Sequence, residues 1–265
     1  MKRPPRRLVV APLLARQSLG EAYHVLTFDV PGGMTVRPGQ FAMVRGATWG
    51  ESPLLPRPMS FLGGGAPSML IKVVGEGTAR MARATPGEPF SLLGPLGNGW
   101  HPLPAGRRPV LVAGGVGVAP LLFLARSLAA TGARPLCLFG GRSSRDLPLA
   151  DALSEVTELA LATEDGSRGE RGRVTELLER ALTPDAAVFT CGPDRMMARV
   201  AELCAARGVP CEVSLETPMA CGYGVCLGCP KPLAGGGYLY ACTEGPCVDA
   251  QRLDLSEPST SGRPA

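Results

Sequence analysis

Two patterns of apolar positions divide the chain. From residue 8 to about 104, short apolar runs alternate with turn signals. "YHVLTFDV" ends at Pro31-Gly32-Gly33, "RPGQFAMVRG" opens on a Pro-Gly turn, and "SMLIKVVG" runs into Gly75-Glu76-Gly77. "EPFSLLGPLGNGW" closes the series. Short strands at regular spacing predict a small β-barrel. The period then changes. "RPVLVAGG" reads as a buried strand and "VAPLLFLARSLAATG" as a helix ending at Gly132. "RPLCLFGG" is a second strand. "LALATEDG" is a third, followed by the helix "RVTELLERAL". "AAVFTCGP" is a fourth, followed by the helix "DRMMARVAELCAARG". Strands alternating with helices predict a doubly wound α/β sheet. The expected organisation is a barrel over 1–105, an α/β domain over 106–213, a cysteine-rich segment over 214–255 and a disordered tail over 256–265.

Composition sharpens this picture. A length of 265 residues suits two domains with a small appendage, and 45% apolar residues suffice for their cores. Gly (35) and Pro (27) are numerous but spread among Val, Leu and Ala, so they read as turns in a folded chain. The net charge of +4 is matched by the four basic residues of the N-terminal "MKRPPRR", which holds no acid. No basic face interleaved with aromatics is visible, and aromatics are 5%, so nucleic-acid binding is not expected. No stretch reaches the roughly 18 apolar residues a membrane span requires. "LVVAPLLA" is short and runs into strand-like sequence, so no signal peptide is expected and the chain reads as cytoplasmic. Five of nine cysteines fall between Cys221 and Cys247. In a cytosolic chain that density favours a metal centre over disulfides.

Three motifs carry candidate chemistry. In "LVAGGVGVAP" a strand ends in glycines and a helix follows. Gly115 and Gly117 would let the backbone approach a ligand, with free helix N–H groups presented to phosphate. Pro120 stands where the third glycine of G-x-G-x-x-G is expected, a residue suited to a first helical turn. A tight turn without a ligand has the same local sequence. In "LLPRPMSF", prolines on both sides of Arg57 fix the backbone, so its guanidinium and the Ser60 hydroxyl can face one anion. "GEGT" at 75–78 reads as a second, flexible turn with a hydroxyl. Cys221, Cys226 and Cys229 are spaced C-x4-C-x2-C, with Cys242 and Cys247 beyond. That is plant-type spacing for a [2Fe–2S] cluster. A structural zinc site stays open, although zinc favours two close cysteine pairs and one is clear here. Cys137, Cys191, Cys204 and Cys211 lie in or beside predicted elements and read as packing residues. His24 and His101 are single histidines in predicted barrel segments and read as structural. No constellation for acid–base or nucleophilic work on an organic substrate stands out, so no catalytic residue is assigned.

In their order along the chain, "RPMS", "GGVGVAP" and "CGP", then a cysteine-rich end, resemble the ferredoxin-reductase superfamily. "ACGYGVCLGC" followed by "CTEGP" narrows the resemblance to the electron-transfer subunits of dihydroorotate dehydrogenase B, and "GPLGNGW" and "TEDGSRGERGRVTELL" are similar to segments of that family. The resemblance covers about residues 8–250.

It implies FAD, a [2Fe–2S] cluster and NAD as co-substrate. It implies FAD contacts at Arg57, Pro58, Met59 and Ser60, at Leu70, Ile71 and Lys72, and at Gly77 and Thr78, with NAD across Gly115 and Gly117. The implied cluster ligands are Cys221, Cys226, Cys229 and Cys242, because the fourth family cysteine precedes x-x-G-P; Cys247 is an extra cysteine able to close the same loop. The implied partner is an FMN-containing catalytic subunit, in a 2:2 heterotetramer, that oxidises dihydroorotate in pyrimidine biosynthesis. Electrons would run from its FMN through the cluster and FAD to NAD+. Arg142 and Arg145 could accommodate the 2′-phosphate of NADP, whereas Asp146 would repel it or accept from a ribose hydroxyl. Two other readings stand beside this one. One is a related flavin/iron–sulfur subunit of the sulfide dehydrogenase or ferredoxin–NADP reductase type. The other is a zinc-stabilised scaffold without catalysis.

Overall fold

The structure, a computed structural model, describes residues 6–256. The expected disordered tail therefore lies, except for Ser256, outside the described residues. Six antiparallel strands close a barrel in the order β1-β2-β5-β4-β3-β6. They are β1 (Arg7–Ser18), β2 (Tyr23–Phe28), β3 (Phe41–Gly46), β4 (Arg57–Gly63), β5 (Ser68–Lys72) and β6 (Pro89–Leu96). Successive side chains of a strand point to opposite faces, so alternate residues fill the interior. Phe90 and Leu92 of β6, Phe28 of β2 and Phe61 of β4 are fully buried there. Phe28 and Phe90 meet edge-to-face at 5.4 Å between ring centroids.

The segment read as a flexible turn at 75–78 is instead the start of a helix, α1 (Glu76–Arg83). The Thr78 hydroxyl accepts from the N–H groups of Val74 and Gly75 at 3.0 and 3.2 Å, which fixes the chain entering the first turn. Met81 of this helix plugs the barrel core. Two glycines in four residues masked the helix in the sequence.

A seven-stranded sheet follows, in the order β10-β9-β8-β7-β11-β12-β15. Its parallel part comprises β7 (Arg108–Gly114), β8 (Leu136–Gly141), β9 (Glu158–Thr163), β10 (Glu170–Arg171), β11 (Ala186–Cys191) and β12 (Cys211–Ser214). The crossovers are α2 (Val118–Ala129), α3 (Ala150–Val156), α4 (Val174–Ala181) and α5 (Asp194–Ala206). Alternation along β7 shows why the sheet is doubly wound. Leu111 and Ala113 pack with α2 and α3, whereas Val110 and Val112 pack with α4 and α5. The chain leaves β7 in one direction to β8 and resumes on its other side with β11, so the switch point lies between β7 and β11.

The cysteine segment is tied to the α/β domain at its end. Its two-stranded ribbon, β13 (Pro230–Pro232) and β14 (Tyr238–Tyr240), is followed by a short helix, α6 (Ala241–Glu244). A last strand, β15 (Cys247–Asp249), then pairs antiparallel with β12 and completes the α/β sheet. The segment is thus stitched into the preceding domain. No helix among the described residues is long and apolar enough to cross a membrane.

Candidate functional site

A cleft of about 530 Å³ opens between the barrel and the sheet. Arg57, Pro58, Met59 and Ser60 line it from β4, Leu70 and Lys72 from β5, and Val74 and Thr78 from the entry to α1. Gly115, Val116, Ala119 and Pro120 line the opposite wall, and Leu215–Met219 close the far side. Arg57 is half-buried and its Nη1 donates to the Leu55 carbonyl. Burial pushes its pKa down, with Glu76 opposing and Arg45 adding to the fall. The first N–H groups of α1 have no partner within the helix, so a guanidinium and a helix N-terminus share this end of the cleft. Phe41, Met59, Leu70 and Met219 give the rest an apolar lining. A pyrophosphate fits the cationic end and a flat aromatic ring the apolar part, so the residues present suit a flavin dinucleotide.

A second cleft of about 490 Å³ lies over the carboxyl ends of the parallel strands. Lys72, Arg142, Arg173, Arg195 and Arg199 line it together with Asp146 and Glu164, a cationic excess that suits a dinucleotide phosphate. Four residues line both clefts: Lys72, Gly114, Gly115 and Pro193. Gly115, at φ +53°, turns the chain from β7 towards α2. Arg145 is exposed and is not among the residues lining this cleft.

The cysteine loop begins two residues beyond Met219 of the first cleft. Gly222 lies against Met43 and Leu96 of the barrel, where a Cβ would collide with both side chains. The thiols gather in pairs. Burial works to raise the Cys221 thiol, but backbone N–H groups of Cys226, Tyr223 and Val225 and the Cys226 side chain bring it down to about 6. Burial, together with the Cys229 side chain and the charges of Cys229 and Cys221, pushes Cys242 up to about 12. No three His, Cys, Asp or Glu side chains among the described residues gather around one point as a single ion needs. A [2Fe–2S] cluster needs four thiolates shared between two irons, and two close pairs fit that arrangement. Cys247 lies elsewhere. It is fully buried on β15, with its Sγ 3.8 Å from the Gly39 carbonyl.

Not every expected contact reaches a cleft. Ile71 points into the barrel core, because only its neighbours Leu70 and Lys72 face outward. Gly117 is buried against the Cys191 carbonyl, so its lack of a side chain serves strand–helix packing. Gly77 makes room for the Arg57 guanidinium, which lies where a Cβ would stand. His24 sits in β2 opposite Ile71, whereas His101 lies beyond the barrel with its Nδ1 on Glu212 of β12. Cys137, Cys191, Cys204 and Cys211 are all buried.

Sequence reasoning missed two groups. Glu216 lines the first cleft and accepts from the Cys191 Sγ at 3.7 Å. Tyr23, buried in β2, donates to Asp146 Oδ1 at 3.2 Å and joins the barrel to the sheet domain. Neither carries a local motif.

Residues 216–254 match the iron–sulfur cluster binding domain of dihydroorotate dehydrogenase B, and residues 111–202 match the oxidoreductase NAD-binding domain. The chain is similar to the dihydroorotate dehydrogenase B (NAD+) electron transfer subunit of Desulforamulus reducens, at 37% identity over 89% of this chain and 94% of that one. It is similar also to the subunit of the same name from Clostridium acetobutylicum, at 35% identity over 88% and 92%. Among solved structures, the NADH-dependent reduced ferredoxin–NADP oxidoreductase, described for flavin-based electron bifurcation, superposes with a TM-score of 0.84 at 25% identity. That match covers 96% of this chain and 92% of the other.

Proposed function

The chain belongs to the family of dihydroorotate dehydrogenase B electron-transfer subunits, and from that premise we propose how its two clefts and its cysteine loop divide the work. It is an oxidoreductase subunit with FAD, an iron–sulfur centre and NAD, and it carries electrons to NAD+ in pyrimidine biosynthesis. The iron–sulfur domain match displaces the zinc-scaffold reading. FAD supplies the exchange between single electrons and hydride. Arg57 and the N-terminus of α1 hold its pyrophosphate, while Ser60, Leu70 and Met59 shape the place of its ring. The cationic second cleft binds NAD, and Asp146 and Glu164 disfavour an added 2′-phosphate. Cys221, Cys226, Cys229 and Cys242 hold the [2Fe–2S] cluster.

One observation carries this assignment of roles: the wall of the first cleft, Leu215–Met219, runs directly into the cysteine loop that begins at Cys221. A short stretch of one chain therefore spans from flavin to cluster, and the loop also faces outward. Val225 is 72% and Leu227 54% exposed. We place the partner, an FMN-containing catalytic subunit, against that face, in a cytoplasmic 2:2 assembly. Co-expression with the dihydroorotate-oxidising subunit tests it. The expected outcome is a co-purifying complex with FMN, FAD and two irons per pair of chains. Two chains that elute separately at micromolar concentration would refute the assembly.

A further inference from the structure

Hydride passes directly between two rings, so the reacting atoms must come within about 3–3.5 Å of each other. The rings can meet only where the two clefts share their walls. The shared residues are Lys72, Gly114, Gly115 and Pro193, and Lys72 alone among them is charged. Its ammonium is held from both domains. Tyr23 is its cross-strand partner in the barrel, with Nζ 5.3 Å from the ring centroid. Asp146, in the loop after β8, accepts at one oxygen, Oδ1, from both Lys72 Nζ at 3.5 Å and the Tyr23 hydroxyl at 3.2 Å. The trio is partly to fully withdrawn from water, where charges act at greater strength than on a surface.

We propose that Lys72 supplies the positive charge at the hydride-transfer junction, and that Asp146 and Tyr23 are positioning residues that set how much of that charge the flavin feels. The inference rests on the functional reading above and deepens it. In the step itself the reduced flavin, which carries a negative charge, gives a hydride to NAD+, yielding oxidised flavin and NADH. That negative charge vanishes in the step, so a nearby cation favours the reduced flavin and raises its potential. Asp146 works against the cation, because its carboxylate neutralises part of the ammonium. The two residues therefore act with opposite sign, although both belong to one ion pair.

The test measures the NADH/NAD+ ratio at which the FAD of the purified complex is half reduced. Lys72→Met should raise that ratio about tenfold, equivalent to about 30 mV for a two-electron couple. Lys72→Arg should restore most of it. Asp146→Asn should move the ratio the other way, and Tyr23→Phe should move it less. Loss of a merely structural contact would move Lys72→Met and Asp146→Asn together. An unchanged ratio in Lys72→Met, or shifts of the same sign in both variants, overturns the proposal. Should Lys72→Met fail to retain FAD, the sign of the Asp146→Asn shift decides. If the unaltered complex holds FAD that NADH does not reduce, the functional reading itself falls.

Discussion

The barrel closes over Phe28, Phe61, Phe90 and Met81, none of them open to water. The cysteine loop is supported on one side only: Cys229 and Cys242 sit in a buried cluster with Phe41, Met43 and Leu96, and its outer part stands open. Between the end of β12 at Ser214 and the start of β13 at Pro230 there is no strand or helix, and Cys226, Leu227 and Gly228 are exposed. One region carries its own hydrophobic core and offers a finished cleft. The other consists of backbone N–H groups and thiols whose arrangement makes sense around iron and sulfide. The difference teaches how the chain separates its tasks: the flavin cleft is walled by packed cores, whereas half of the thiols gather on an outward-facing loop.

Substitutions can break this contrast, and the largest effect is expected at the thiols. Cys242→Ser should abolish iron and acid-labile sulfide and take dihydroorotate-dependent NAD+ reduction to background, while FAD stays bound. Cys247→Ser should keep iron and sulfide, because that thiol is buried against Gly39. The reverse pattern would move the fourth ligand to Cys247. In the barrel, Ile71→Ala leaves a cavity in a closed core and should cost about 2–5 kcal/mol in denaturant unfolding, with the iron content unaffected before unfolding. Arg57→Ala should leave the fold intact and weaken FAD retention. Charge-assisted hydrogen bonds contribute about 1.5–3 kcal/mol, or roughly 10- to 150-fold in affinity. Flavin content unchanged after gel filtration would remove Arg57 from the site. The smallest expected effect is at the rim: Leu227→Glu should weaken subunit association, by about tenfold, without loss of iron. Iron loss with intact assembly would make Leu227 a shield for the cluster.

The two regions also differ in how much of them the sequence discloses. Cluster spacing is a local property, so the thiols stand out within one short stretch. The alternation of strand and helix revealed the doubly wound sheet for a similar reason, since each period is written in a dozen residues. The junction between the clefts was not legible. Lys72 and Asp146 are 74 residues apart and meet only through the docking of barrel on sheet. Glu216 and Cys191, 25 residues apart, meet through the pairing of β11 with β12. The packing of Gly117 on the Cys191 backbone was not legible either, because a glycine that admits a ligand and one that admits a neighbouring backbone look alike in sequence. The return of β15 to the α/β sheet was hidden because three residues hold too little pattern to announce a strand.

The central claim is that electrons cross this chain from a partner's flavin to NAD+. The direct measurement is the initial rate of dihydroorotate-dependent NAD+ reduction by the catalytic subunit, with and without this chain. The account predicts NADH formation only when this chain is present with its FAD and cluster, and none with the Cys242→Ser variant. An equal rate without the chain, or no NADH from a fully loaded complex, would contradict it.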